Sequence, residues 1–236
     1  MGEILKKYGL TGGPKAGKSV IAEELRKMIE EEFDCHVIVV PETATQIIEG
    51  GILPDAKPED DDPEKNQRYI ETNEAFQQGI FDLQRAKEAV YEYLASICQK
   101  DVVILYDRTV DDNEGYLIKA FGEELGRALY RKMLAAYDLT KEDTFLKYDM
   151  IIFLETSAKK KLFTKKDPND KTIRLEAGDK DAIIVNNCLE KVMEEHPNYV
   201  KIEATDNFED KIEASKDAVR EDLRKTLGIS YVRKSS

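Results

Sequence analysis

The chain has no tryptophan, two histidines and three cysteines among 236 residues. Cys35, Cys98 and Cys188 are far apart, odd in number and form no Cys-x-x-Cys. That spacing excludes a disulfide framework and fits a reduced, cytoplasmic setting. His36 and His196 are too few for a zinc site and read as ordinary surface imidazoles. No run of about 18 apolar residues is present, so no membrane-spanning helix is expected. The first residues, Met1-Gly2-Glu3-Ile4-Leu5-Lys6-Lys7, carry no apolar stretch followed by a small-residue cleavage site, so secretion is not expected. Positive charge is in deficit: 36 Lys and Arg stand against 48 Asp and Glu, a net charge of −12. A surface of that sign repels nucleic acid at long range, leaving only local basic pockets for small anions. The oligomeric state is not encoded in any recognisable pattern.

What is present is a core. Apolar residues make up 41% of the chain, which excludes wholesale disorder. Apolar runs alternate with helical spacing. Strands are predicted at Ile4–Leu10, His36–Val40, Asp101–Tyr106, Asp149–Leu154 and Tyr199–Glu203. The β-branched runs suit strands covered on both faces. Helices are predicted over Ser19–Phe33 (with Val20, Ile21, Leu25, Met28 and Ile29 inward), a short segment through Ile47 and Ile48, Glu64–Gln99, Asn113–Tyr137, Asp179–Glu195 and Phe208–Leu227. In the long helix Phe76, Ile80, Leu83, Val90, Leu94 and Ile97 mark the expected inward stripe. Asn73, Gln77, Gln84 and Arg85 read as mostly solvated. The acidic stretch Pro54–Pro63 reads as an exposed loop. Strands alternating with helices predict one α/β domain, a three-layer sandwich around a five-stranded, mainly parallel sheet.

The most informative stretch is Gly12-Gly13-Pro14-Lys15-Ala16-Gly17-Lys18-Ser19. It matches G-x-x-x-x-G-K-[ST] between the first strand and an amphipathic helix, the context a P-loop requires. The glycines let the backbone curl so that N–H groups converge on phosphate oxygens. Lys18 supplies a point charge to the β- and γ-phosphates, and the Ser19 hydroxyl is a Mg²⁺ ligand. The helix N-terminus adds its partial positive charge, with Val20 in its first turn.

Ligands in such sheets sit beyond the carboxyl ends of the strands. Polar residues found there are Glu42, Asp107, Arg108 and Thr109, with Asp111 and Asp112 nearby. Asp107 closes an apolar strand and is a candidate Mg²⁺ ligand. Glu42 is placed to accept the proton of an attacking hydroxyl. A lid-like segment spans about 156–178, with Lys159-Lys160-Lys161, Lys165-Lys166 and Arg174. Cations on such a flap neutralise a transferring phosphoryl group, and Arg174, between Ile173 and Leu175, is the better anchored.

Taken together, the P-loop, Val39-Val40-Pro41-Glu42-Thr43-Ala44 with Gly50-Gly51, and Leu105-Tyr106-Asp107-Arg108 resemble the small ATP-binding AAA-domain proteins. These are kin to the ribosylnicotinamide kinase domain and to TRPL-translocation-defect-type proteins. Ile173-Arg174-Leu175-Glu176, His196-Pro197, Phe208 and Lys211 fall in similar order, so the likeness runs from about residue 8 to 215. Thr109 stands where that family usually has glycine, and no tryptophan precedes His196-Pro197. The Pro-Glu and Asp-Arg placements are also similar to deoxynucleoside kinases. That resemblance implies Glu42 as base and Asp107-Arg108 as the metal and phosphate pair.

Adenine is favoured over guanine. Thr140-Lys141-Glu142-Asp143 and Thr164-Lys165-Lys166-Asp167 match the guanine-reading loop, but neither follows a convincing strand. Asp112-Asn113-Glu114-Gly115 lies too far past its strand for a switch aspartate, and about one such match is expected by chance in so charged a chain. The expected function is therefore an ATP·Mg²⁺ kinase, with GTP as the other nucleotide, acting on a small nucleoside-like or other hydroxyl-bearing metabolite. The alternative is a nucleotide-dependent regulatory binding protein with slow hydrolysis.

Overall fold

A computed structural model describes residues 2–160 and 178–228. The described residues place five strands in one sheet: β1 (Ile4–Thr11), β2 (His36–Val40), β3 (Val102–Asp107), β4 (Met150–Leu154) and β5 (Tyr199–Ile202), in the order β2-β3-β1-β4-β5. Every pairing is parallel. Such a sheet must be covered on both faces, and β3 and β4 are buried along their whole length.

Two apolar clusters do the covering. On one face, α1 (Lys18–Phe33) and α8 (Phe208–Thr226) pack Ile21, Leu25, Ile29, Val219 and Leu223 against Leu10, Leu105 and Ile152. On the other, Val185, Leu189 and Val192 of α7 (Asp179–Met193) pack against Ile104, Ile151 and Phe153. Val20 is the exception to the expected α1 stripe, being 53% exposed. It lies a full 100° turn-step from Ile21, which rotates it towards the cavity described below.

Register decides the site. Leu10 pairs with Asp107, so the chain leaving β1 as Gly12 passes Arg108. Val40 pairs with Tyr106, so Glu42 emerges beside the same residues. Glu42, Asp107 and the phosphate loop are neighbours because three parallel strands end level.

The remaining helices are α2 (Thr43–Glu49), α3 (Pro63–Ser96), α4 (Asp112–Phe121), α5 (Glu123–Ala135) and α6 (Lys141–Phe145). The helix expected over Asn113–Tyr137 is broken in two at Gly122, whose φ of 82° no helix interior accepts. The Thr140–Asp143 segment is the N-terminus of α6, where Thr140 and Asp143 form a capping box, so its guanine-like pattern has a structural cause.

In α3 the expected stripe holds at Phe76 and Ile80 and then runs out of phase. Leu83, Val90, Leu94 and Ile97 are exposed, while Phe76, Phe81, Gln84, Glu88 and Ala95 face inward. Beyond Ile80 the periodicity of apolar residues fails, because the inward face there carries the polar residues Gln84 and Glu88. His196 also departs from expectation. It is buried, with Nε2 3.1 Å from the carbonyls of Phe145 and Tyr148 and Nδ1 accepting from the Asn198 N–H. No helix among the described residues is long and apolar enough to cross a membrane.

Candidate nucleotide and acceptor site

The loop from Gly12 to Gly17 turns through left-handed backbone at Gly12 (φ 135°), Lys15 (62°) and Gly17 (85°). A Cβ at Gly12 would stand 2.1 Å from the Leu154 carbonyl oxygen, so only glycine lets β1 leave the sheet that close to β4. The loop is anchored from outside. Thr156 Oγ1 donates to the Pro14 carbonyl at 2.5 Å. Lys211 Nζ donates to the Ala16 carbonyl at 2.7 Å. Asn186 Oδ1 accepts from the Thr156 N–H at 2.9 Å and the Gly13 N–H at 3.4 Å.

Lys18 folds back over this loop, its Nζ 3.3 Å and 3.4 Å from the carbonyls of Gly12 and Gly13. These long contacts hold a charge in place without satisfying it. Burial, then the charge on Arg108, pushes the ammonium below its ordinary range, against the pull of Asp107, Glu42 and Asp112. Ser19 Oγ donates to Asp107 Oδ2 at 3.2 Å. The other carboxylate oxygen, Asp107 Oδ1, is buried and has no hydrogen-bond partner. Burial raises its pKa, with Glu42 adding to the rise and Lys18 opposing it. An orphaned carboxylate oxygen beside a serine hydroxyl suits a hard cation with oxygen ligands, so Ser19 and Asp107 fit Mg²⁺.

Arg108 occupies the centre. Its backbone has φ 77°, a left-handed conformation that costs a non-glycine residue free energy and persists only where neighbours hold it. They do so here. Nε donates to Glu42 Oε1 at 2.6 Å, and Nη1 donates to Asp112 Oδ2 at 2.8 Å and to the Gly12 carbonyl at 3.2 Å. Burial opposes its charge, yet neighbours including Glu42 and Asp112 hold it protonated above the usual guanidinium range. Glu42 shows the mirror effect. Burial would raise its pKa, but the charges of Arg108 and Lys18 and hydrogen bonds from Arg108 and Thr45 hold it at about 2.

Glu42, Asp107, Arg108, Lys18, Ser19 and Val20 share one cavity of about 360 Å³, walled further by Phe76, Gln77, Ile80 and Tyr116. The volume suits a small ligand. Gln77 Oε1 is buried there without a partner. Among the residues expected to be solvated, Gln84 is 2% exposed. It accepts from Thr43 Oγ1 and donates to Glu88 and to the Arg108 carbonyl. Asn73 donates to Asp55 and Tyr69 carbonyls, and Arg85 stacks 4.1 Å over the Tyr137 ring.

Only the ends of the expected lid segment lie among the described residues. Residues 156–160 form a brace and a single 3₁₀ turn (Ser157–Lys160), with Lys159 on Glu155 and Glu190. Lys161, Lys165, Lys166, the Thr164–Asp167 pattern and Arg174 lie outside the described residues.

Two residues were visible in the sequence without their roles. Asp112, set aside there as a chance Asp-x-x-Gly, takes Arg108, Thr11 Oγ1 and the N–H and hydroxyl of Thr109 on its buried carboxylate. Its signal was position, one helical turn after Arg108. Lys211 carried no signal by itself, because the loop it braces is 195 residues away.

A family model described as an AAA domain matches residues 7–211. The chain belongs to that family. Two solved structures of deoxyadenosine kinase from M. mycoides, one with bound dATP and one with the products dCMP and a flexible dCDP, resemble this AAA-domain protein in fold. Each is 15% identical and is covered over 99% of its length by 91% of this chain, with TM-scores of 0.52 and 0.54. No curated protein matches it. This AAA-domain protein is thus a P-loop protein with a nucleoside-kinase-like fold.

Proposed function

We propose that the protein is a small-molecule kinase, transferring the γ-phosphoryl group of ATP to a hydroxyl of a nucleoside-like metabolite. The observation that carries this reading is the shared cavity: Glu42 and the Lys18–Ser19–Asp107 group face one space, with Arg108 between them. A carboxylate held ionised at one side of a phosphate site can receive the proton of an attacking hydroxyl, and the walls formed by Phe76, Gln77, Ile80 and Tyr116 leave room beside it for a small acceptor.

In this reading the convergent loop N–H groups and Lys18 hold the triphosphate. Ser19 and Asp107 would hold Mg²⁺, which would supply positive charge to neutralise the phosphates. Glu42 accepts a hydrogen bond from the acceptor hydroxyl and aims its oxygen at the γ-phosphorus. The new P–O bond forms as the bond to the leaving ADP oxygen breaks, and the hydroxyl proton passes to Glu42. Little base strength is needed in a loose transition state, so a carboxylate held at about 2 serves chiefly to orient. Arg108 fixes Glu42 and presents charge near the transferring group. Arg174 is assigned the flap charge on its sequence context alone. Gln77, with its unpaired carbonyl, offers the acceptor a hydrogen-bond site.

The deciding experiment incubates the protein with γ-labelled ATP, or GTP, and a pool of nucleosides and related hydroxyl metabolites. Label recovered on an acceptor supports the kinase. Slow, acceptor-independent release of inorganic phosphate overturns it in favour of a nucleotide-dependent regulatory protein.

A further inference from the structure

Lys211 is 1% exposed, and its ammonium is spent on two backbone carbonyls, Ala16 at 2.7 Å and Glu155 at 2.6 Å. A trans peptide points its C=O and N–H in opposite directions. By capturing the Ala16 carbonyl on the outer side of the loop, Lys211 turns the Gly17 N–H towards the inner side. Thr156 does the same two peptides earlier: it captures the Pro14 carbonyl and turns the Lys15 N–H inward. Two alternate peptides of the phosphate loop are therefore aimed by side chains reaching in from outside.

The two anchors differ in one respect. Thr156 is neutral, whereas Lys211 is a buried charge without a carboxylate partner among the described residues. From the phosphate loop and α1 it faces Lys18, which repels it. From the end of β4 it faces Glu155, but that carboxylate is committed to Lys159, Lys201 and the Ala204 N–H. Lys201 is itself shared with Glu190 of α7. On its own helix Asp210 is turned to the Asn207 side chain.

We propose that Lys211 is a positioning residue for the phosphate loop, and that a triphosphate seated in the loop supplies its missing counter-charge, so that nucleotide binding is coupled to proton uptake by Lys211. This deepens the nucleotide reading above and rests on it. Burial, then Lys18, lowers the ammonium to about 8 in the free protein. A bound polyanion moves it back up. Linkage then has a definite sign: at pH 8 binding draws in about half a proton at this residue, and above pH 8 affinity falls by up to about tenfold per pH unit.

The test is calorimetry of MgATP binding at pH 8 in two buffers of different ionisation heat, for the wild type and Lys211→Arg. Arginine keeps both the charge and the donors but does not titrate. Lys18 shares the site's linkage, so the difference between the two proteins isolates Lys211. A wild-type uptake larger by about half a proton supports the proposal. Equal uptake in both overturns it while leaving nucleotide binding standing. Absence of binding heat in the wild type overturns the nucleotide reading itself. If Lys211→Arg does not fold, lysine-selective NMR of the wild type decides. A resonance titrating near pH 8 that remains protonated at pH 9 with MgATP supports the coupling, and lack of any nucleotide-induced shift overturns it.

Discussion

The two sides of the cavity treat charge in opposite ways. On the acceptor side Glu42 is held at about 2 and Arg108 is held protonated beyond its usual range, so each charge stabilises the other. On the donor side Lys18 is lowered and Asp107 is raised, so burial works against both charges and their neighbours do not repay it. Hydrogen bonding follows the same division. Arg108 makes three side-chain contacts of 2.6–3.2 Å, while Lys18 reaches two carbonyls at 3.3 Å or more and Asp107 Oδ1 reaches nothing. The charged pair of the acceptor side is complete as folded protein, and only Gln77 Oε1 of the residues named there stays unpaired. The donor side leaves the Lys18 ammonium weakly bonded and an Asp107 oxygen unpaired, which suits the proposed site for a metal–nucleotide complex.

Removing Arg108 should break this comparison most severely. Arg108→Met leaves buried Asp112 and half-buried Glu42 without their cation, at a cost of about 3–5 kcal/mol. For a chain of this size that corresponds to a loss of roughly 10 °C in Tm. Thermal melting checks it, and a loss under about 2 °C would show that Arg108 does not lock the acceptor side. Lys18→Ala should behave oppositely: nucleotide affinity falls about 100-fold or more, the worth of charge-assisted phosphate contacts, while the Tm of the free protein stays put. Calorimetry and melting together decide. If Lys18→Ala unfolds the protein, the donor side is structural after all.

The difference between the sides also explains what could be read from sequence. The donor side is local: Gly12, Gly17, Lys18 and Ser19 lie in eight consecutive residues, and their chemistry dictates their spacing. Asp107 and Glu42 were found by one further rule, that ligands meet strand ends, because the five parallel strands are legible as apolar runs. The acceptor side's supports were not. Gln84 and Glu88 are polar residues facing inward on α3, so apolar periodicity assigned the wrong face to that helix from Leu83 onward. Asp112 was seen but assigned to chance, since nothing short of the fold shows Arg108's left-handed backbone bringing the guanidinium back onto it. Lys211 braces a loop nearly the whole chain away, a contact that exists only once α8 has packed on α1.

Glu42→Gln separates orientation from binding. The amide keeps the shape and a carbonyl for Arg108, so nucleotide affinity should hold while phosphoryl transfer drops about 100-fold or more. The pH dependence carries a sign check. The folded pKa of about 2 lies below the ordinary 4.5. Glu42 therefore contributes stability that is fully present above about pH 4.5 and is lost as pH falls through 2. Wild type should be the more stable protein at neutral pH, and the gap to Glu42→Gln should close in acid denaturation. A gap independent of pH, or transfer unchanged in the variant, removes Glu42 from both roles.

The smallest effect is the most telling, because its sign is unusual. Asp107 has a raised pKa, so the folded protein binds a proton more readily there than the unfolded chain does. Linkage then makes the ionised carboxylate a cost to folding at neutral pH rather than a gain. Asp107→Asn keeps an oxygen to accept from Ser19 Oγ and discards the charge, so the free protein should gain up to about 1 kcal/mol in denaturant titration. The same variant loses a Mg²⁺ ligand, so the increase in ATP affinity on adding Mg²⁺ should shrink about tenfold or more. Stability and function would thus move in opposite directions at one atom, as they do wherever a fold holds an unsatisfied group ready for a ligand. If Asp107→Asn instead destabilises the free protein as Arg108→Met does, the division between the two sides fails.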